Sequence, residues 1–359
     1  HSPNNELSLR HQTPNPPVCH RGIMNIPVPM SQKRLERFLS VTSSNALDHF
    51  DQLMEKISSN RLIILLDYDG TLTPIVNDPS KAILDEDVRT ILQLLSRHYT
   101  TGIVTGRSLT KIQGFVNLPD LLYAGSHGFD IVAPLLPVFQ ELNNGRNFSE
   151  KEEKIIRYQI AQEYLPTLQD IKRNLEEVLS TIPGAEVEDN LFSVSIHYRN
   201  CDISHIARIQ EIVIEAKESN EGIRLKQGKM VFELQPDVMW NKGRAIEWVL
   251  SKINSEQIDF NERTQKSQPK VFTIFIGDDK TDEDAFELFN QTHFEDSDCP
   301  GVGILVSEES RPTHAEYTLR NPSEVAKLLQ KFVDVGVANN LRRSPCQDRA
   351  QKSLPCEKS

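Results

Sequence analysis

The chain has 359 residues and is 38% hydrophobic, enough for two cores at about 150 residues per domain. Its 51 acidic and 40 basic side chains give a formal net charge of -11, which removes the long-range attraction that nucleic acid or an anionic membrane surface requires. Five scattered cysteines with no CxxC and no histidine pair at metal spacing argue against a zinc scaffold and predict a reduced, cytoplasmic setting, and no run approaches the ~20 apolar residues of a membrane-spanning helix.

In chain order, residues 1–32 carry TPNPPV and NIPVPM, too rich in proline and too poor in apolar surface to pack, and read as a disordered arm. ALDHFDQLMEKI (46–57) then sets Leu47, Phe50, Met54 and Ile57 at helical spacing. Strand and helix alternate from there. LIILL (62–66), TTGIVT (100–105) and VFTIFI (271–276) are short β-branched runs ending on polar or glycine-rich residues, as in a parallel sheet buried on both faces; LLYAG (121–125) and GVGILV (301–306) extend the set. Helical patterns lie at 85–99 and 321–333, the second opened by Asn321, Pro322 and Glu324 in a capping-box-like order. The expectation is an α/β, doubly wound core over 33–135 and 239–336.

Between 136 and 238 the pattern changes. A helical stretch over 149–182, broken near Pro166, precedes strand LFSVSIHYR, helix DISHIARIQEIVIEAKES and strand KMVFELQP. These strands alternate apolar and polar residues, which predicts a separate, inserted α+β domain whose sheet buries one face. Residues 337–359 read as a disordered tail, and a monomer is expected.

The apolar run ending in DYDGT points Asp67 and Asp69 to one side at the carboxyl end of a strand, where open α/β sheets place ligands. Two carboxylates so close need a cation between them, although an isolated DxD also fits a turn or a helix cap. A second acidic cluster, IGDDKTDEDAF, follows another apolar strand. Thr281 is expected to cap a helix whose dipole accounts for Asp282, Glu283 and Asp284, but not for Asp278 at the strand end. Adjacent strands would bring Asp67 and Asp278 together as oxygen ligands suited to Mg²⁺. In IVTGRS, Thr105, Gly106 and neighbouring N–H groups face a phosphate at the start of a helix. In WNKGRAIEWVL, Lys242 stands where the helix dipole disfavours a cation, which an anion would explain; a solvated lysine is the alternative. Nucleophile, second carboxylate, hydroxyl, ammonium and acidic metal clamp are the parts of phosphoryl transfer.

DYDGT, TGRS, NKG and GDDKTDEDAF, in that order, resemble the four motifs of haloacid-dehalogenase-type phosphatases, and LLDYDGTLTPIVNDP, YAGSHGFDI and GDDKTDEDAFELF look like trehalose-6-phosphate phosphatases of the plant type over residues 60 to 335. The resemblance implies a Mg²⁺-dependent phosphatase acting on a small sugar phosphate. Asp67 would form an aspartyl-phosphate; Asp69 would protonate the leaving sugar oxygen and then activate water. Asp67, the Asp69 carbonyl and Asp278 would hold the metal, Thr105 and Lys242 the phosphoryl oxygens, with Gly106 and Arg107 beside them and Asp279 and Asp282 in support. The inserted domain would be a cap reading the sugar. In it Ser193, Ser195, His197 and Arg199 share one strand face, and Lys229 and Glu233 another; His127 in AGSHG is expected near the substrate. Many bacterial relatives carry glutamate where Ser126 stands. The competing expectations are another sugar phosphatase, such as one for sucrose phosphate, and a regulatory domain that binds a sugar phosphate without hydrolysing it.

Overall fold

The computed structural model describes residues 44–58, 60–76, 78–134, 155–264, 269–291 and 300–343. The arm at 1–32 and residues 344–359 of the expected tail lie outside them.

The first half supplies β1 (Ser44–Asn45), α1 (Phe50–Ile57), β2 (Arg61–Leu66), α2 (Glu86–Ser96), β3 (Thr100–Val104), α3 (Leu109–Val116), β4 (Leu122–Gly125), β5 (Asp130–Pro134) and β6 (Ile155–Gln159). The second supplies α4 (Leu165–Leu179), β7 (Glu186–Asp189), β8 (Val194–His197), α5 (Ile203–Glu218), β9 (Ile223–Gly228), β10 (Val231–Pro236), α6 (Lys242–Thr264), β11 (Val271–Gly277), α7 (Glu283–Gln291), β12 (Gly301–Val306), β13 (Tyr317–Leu319) and α8 (Pro322–Arg343).

Among the described residues one sheet has nine strands in the order β1-β13-β12-β11-β2-β3-β4-β5-β6, parallel from β1 to β4, with β5 and β6 added antiparallel. Strand β2 lies at its centre because it is apolar on both faces. Leu62, Ile64 and Leu66 pack with residues of α1, α2, α3 and α8, while Ile63 and Leu65 pack with α6 and α7. Burying each such side chain stabilises the fold by roughly 1.5–3 kcal/mol. The strand that carries Asp67 is thereby fixed in the best-packed part of the molecule. Helix α8 starts as its sequence predicts: the Asn321 side chain accepts from the Glu324 N–H at 3.2 Å, and the Glu324 carboxylate accepts from the Arg320 N–H at 2.9 Å.

A second, four-stranded antiparallel sheet has the order β7-β8-β10-β9. One face packs Val194, Ile196, Phe232 and Leu234 against Leu168, Ile171 and Leu175 of α4 and Ile209 and Val213 of α5. The other carries Ser195, Glu233 and Lys226 in register across β8, β10 and β9. The alternation predicts the apolar face, but the polar face is covered too: Ser195 and, beside β8, Ser193 are buried.

Three local expectations differ. Residues 155–159, read as helix, form strand β6 of the large sheet; IIRYQ pairs with β5, and Arg157 donates to both Asp130 oxygens at 3.2 and 3.0 Å. Pairing to an open sheet edge overrides a helical pattern that continued into α4. Residues 337–343, read as tail, continue α8: Gly336 lies against the His98 ring, and the Asn340 amide nitrogen is 3.2 Å from His98 Nδ1. The leading helix begins at Phe50 rather than Ala46, since Ala46 donates its N–H to Thr318 beside β13.

Candidate active site

Parallel pairing of β2 with β11 places Leu66 opposite Ile276, so both strands deliver their acidic loops to one end of the sheet. Asp67 continues the ladder, donating its N–H to the Ile276 carbonyl at 2.8 Å. The chain then turns at Gly70, whose φ of 84° suits glycine, and the Gly70 N–H closes the turn onto the Thr73 carbonyl at 2.7 Å. A Cβ on Gly70 would stand 2.2 Å from an Asp278 carboxylate oxygen. The glycine is what lets the two loops meet.

Lys242, the first residue of α6, places its ammonium 2.7 Å from Asp67 Oδ1 and 2.7 Å from Asp282 Oδ1. All three residues are buried. The other Asp282 oxygen accepts the N–H groups of Asp278 at 2.9 Å and Asp279 at 3.0 Å, so Asp282 braces both the lysine and the acidic loop. Asp279, rather than Thr281, caps this turn: its Oδ1 accepts from the Thr281 N–H and hydroxyl, both at 2.7 Å, and from the Asp282 N–H at 3.2 Å. A carboxylate two residues earlier reaches these donors better than the threonine hydroxyl, which itself donates. Arg311 adds a bond to the Asp278 carbonyl at 2.9 Å.

Carboxylate oxygens of Asp67, Asp278 and Asp282 lie within 4.8 Å of one another. Among the described residues Asp278 Oδ1 is buried without a hydrogen-bond partner, as expected of an atom meant for a cation. Burial pushes Asp67 up to about 8, opposed by Lys242 and reinforced by Asp278 and Asp279. Burial and the Asp282 and Asp279 charges likewise push Asp278 up to about 8. Asp279 goes the other way: burial would raise it, but Lys242 and the Thr281 bonds hold it at about 2. Burial also disfavours the charge on Lys242, yet Asp282 and Asp67 keep its ammonium well above the usual range. Crowded, partly protonated carboxylates with an all-oxygen donor set form a divalent-metal site.

Asp69 leaves the same strand end toward a different partner. Arg107 meets both its oxygens at 2.6 Å, and the guanidinium lies 5.6 Å from the Tyr68 ring centre and 5.0 Å from that of Phe115. A forked, stacked arginine fixes a carboxylate in one orientation. Thr105 is buried, its N–H on the Ala124 carbonyl at 2.9 Å and its hydroxyl accepting from the Arg107 N–H at 3.2 Å. Gly106 packs under the His127 ring.

The polar face of the second sheet meets this end of the large sheet. Glu233 Oε1 is 3.1 Å from His127 Nε2; burial would raise Glu233, but His127, Ser193 and Lys226 hold it down to about 2. Lys111 of α3 donates to Glu188 at 2.8 Å and to the Asp189 carbonyl at 3.0 Å, and His197 is 2.8 Å from Glu188. Arg199 donates at 3.3 Å to the Val76 and Lys229 carbonyls. A cleft of 310 Å³ opens beside Arg107, between α3 and β7; Asp67 is not in its wall.

The expected residues thus fall into four groups: Asp67, Lys242, Asp278, Asp279 and Asp282; Asp69 with Arg107; Thr105 and Gly106 under His127 and Glu233; and His197, Arg199 and Lys229 along the second sheet. Lys229 does not share a strand face with Glu233, because β9 and β10 turn at Lys229 and Met230. The residue opposite Glu233 is Lys226. The turn residues Lys229 and Met230, the latter with a φ of 63°, are not the usual glycine or asparagine of a hairpin loop, so the sequence gives little signal for that register. Asn190 was also missed; it is 4% exposed and bonded across to the TGRS turn, which no local pattern announces.

A family model described as trehalose-phosphatase matches residues 65–323. Trehalose-phosphate phosphatase B of Arabidopsis thaliana is 36% identical over 290 residues, covering 81% of this chain and 71% of that protein. Among solved structures, the C-terminal domain of Candida albicans trehalose-6-phosphate phosphatase superposes with a TM-score of 0.60 at 22% identity, over 81% of this chain and 99% of that one. A trehalose-6-phosphate phosphatase related protein gives 0.59 at 24% identity, over 77% and 99% of the two chains. At those identities the structural likeness concerns the fold.

Proposed function

The chain belongs to the trehalose-phosphatase family, and from that premise we propose how its own residues divide the hydrolysis of trehalose 6-phosphate to trehalose and inorganic phosphate. The activity is that of a phosphoric monoester hydrolase acting on a small sugar phosphate. The observation that supports the division of labour is the chain from half-buried Asp278 through buried Asp282 and Lys242 to Asp67, set at the end of the central strand.

Asp67 is the nucleophile. Its carboxylate oxygen bonds to phosphorus as the bond from phosphorus to the sugar oxygen breaks; Asp69, having turned one oxygen away from Arg107 and taken up a proton there from solvent, gives that proton to the sugar oxygen. Water then attacks the aspartyl-phosphate, Asp69 takes the water proton, and the bond between phosphorus and Asp67 breaks. Lys242 fixes the orientation of Asp67 and offsets charge on the phosphoryl group, with Thr105 and Gly106 on the phosphoryl oxygens. Arg107 holds Asp69 until one of its oxygens turns to the sugar. Asp67, the Asp69 carbonyl and Asp278 would hold Mg²⁺, with Asp279 and Asp282 shaping the loop. When bound, the cation neutralises carboxylate and phosphoryl charge that Lys242 alone cannot balance. On the cap side, His127, Glu233 and Lys226 receive sugar hydroxyls, and His197 and Arg199 lie further along that sheet, while Lys229, in the β9–β10 turn, is left out of this face.

Asp67→Asn tests the assignment. Uncatalysed monoester hydrolysis is slow enough that losing the nucleophile should cost at least ~10⁴-fold in phosphate release. Turnover near that of the unsubstituted protein would refute Asp67 as nucleophile.

A further inference from the structure

The Thr105–Ser108 turn is held from two sides. From behind, the Ser126 N–H donates to the Arg107 carbonyl at 2.7 Å and the His127 N–H to the Thr105 carbonyl at 2.8 Å. From the front, the support comes from the other sheet. Asn190 stands between β7 and β8, and its Oδ1 accepts the Ser108 N–H at 3.3 Å. Its amide nitrogen donates to Ser195 Oγ at 3.2 Å, and its carbonyl accepts from the Ser126 hydroxyl. Ser108 is the N-cap residue of α3, yet its own side chain makes no capping bond. A donor at the mouth of the phosphoryl loop is therefore satisfied by a residue of the sugar-reading lobe.

The loop that carries Asn190 is itself pinned. Leu191 takes a φ of 64° and donates its N–H to Asp189 Oδ1 at 2.8 Å. Phe192 next to it is fully buried and stacks on Phe129 of the large-sheet lobe, ring centres 5.8 Å apart. Asn190 is thus buried between the lobes and hydrogen-bonded to each of them. Leaving a buried N–H or amide unpaired is costly, so the arrangement favours the docked lobes.

We propose that Asn190 is a positioning residue of the phosphoryl site, which completes the Thr105–Ser108 turn only when the cap is docked, so that cap closure and phosphoryl binding are one event. This rests on the phosphatase reading above and assigns Asn190 a role unlike that of its neighbours on the cap. Glu233 faces the sugar, so its loss should depend on the sugar. Asn190 supports the phosphoryl oxygens' loop, so its loss should not.

The test uses the full chain with magnesium and compares Asn190→Ala, Ser195→Ala and Glu233→Ala on trehalose 6-phosphate and p-nitrophenyl phosphate, with inorganic phosphate as inhibitor. Asn190→Ala should lower kcat/KM on both substrates by a similar factor, roughly tenfold to hundredfold, and weaken phosphate inhibition in parallel. Ser195→Ala, which removes only the support of the asparagine, should give the same pattern to a smaller degree. Glu233→Ala should lose more on trehalose 6-phosphate than on p-nitrophenyl phosphate, a split between substrates that Asn190→Ala should not show. A loss confined to trehalose 6-phosphate in Asn190→Ala, or unaltered phosphate inhibition, would overturn the proposal. If Asn190→Ala does not fold, Ser126→Ala removes the bond at the other end and must weaken phosphate inhibition; if it does not, the proposal fails. The unsubstituted protein separates the two claims. Failure to turn over trehalose 6-phosphate defeats the substrate reading, while the aryl-phosphate and inhibition comparisons still decide on Asn190.

Discussion

Asp67 and Lys242 are 175 positions apart in sequence and 2.7 Å apart in space. Each was legible for a local reason: a carboxylate at the end of an apolar strand, and a cation where a helix dipole opposes one. The partner of Asp69 was not. Arg107 looked like a phosphate ligand because it stands in TGRS, directly after Thr105 and Gly106, and only the fold shows its guanidinium on both Asp69 oxygens, between two rings. The raised carboxyls carry a pH consequence. Asp67 and Asp278 sit at about 8 when folded, above the value near 4 expected of an unfolded aspartate. Their contribution to stability is fully present below that unfolded value and is lost as pH rises through about 8. In excess chelator the thermal midpoint should therefore gain less, or fall more, from about pH 5 to pH 8 than it does in excess magnesium, which favours the ionised pair. A magnesium-induced stabilisation larger at pH 5 than at pH 8 would contradict a carboxylate cluster.

At the scale of elements, the parallel strands were readable because each is buried on both faces, and GVGILV was placed with its observed bounds, Gly301–Val306. Strand β6 was not, since IIRYQ has no turn residue between it and the helix that follows, and an edge strand gains its stability from a partner distant in sequence. Lys226 was hidden for a more local reason: its place opposite Glu233 depends on the β9–β10 register, which is set by a Lys229–Met230 turn with no glycine or asparagine to mark it. The turn after β2 makes its own prediction. Gly70→Ala would impose a strained φ and bring Cβ against Asp278, so the acidic loop must move. Activity should fall roughly hundredfold, and the magnesium-induced rise in thermal midpoint should shrink. A variant with unchanged activity and unchanged magnesium stabilisation would show that the close approach of these loops is dispensable.

At the scale of the molecule, the large sheet carries the groups proposed to act on phosphorus, and the small one turns a polar face toward them. The α/β core was legible from periodicity, and its chemistry from four motifs in order. Sugar preference was less so, because the side chains proposed to set it, Glu233 and Lys226 of one hairpin and His127 of the large-sheet lobe, meet only after docking. Among the described residues no helix is long and apolar enough to cross a membrane. The claim that joins both lobes is that this pairing acts on trehalose 6-phosphate. Phosphate release by the purified chain with magnesium, compared for trehalose 6-phosphate, sucrose 6-phosphate and glucose 6-phosphate, tests it most directly. A site that hydrogen-bonds its sugar should favour trehalose 6-phosphate by roughly a hundredfold or more in kcat/KM; equal or faster turnover of sucrose 6-phosphate would contradict it.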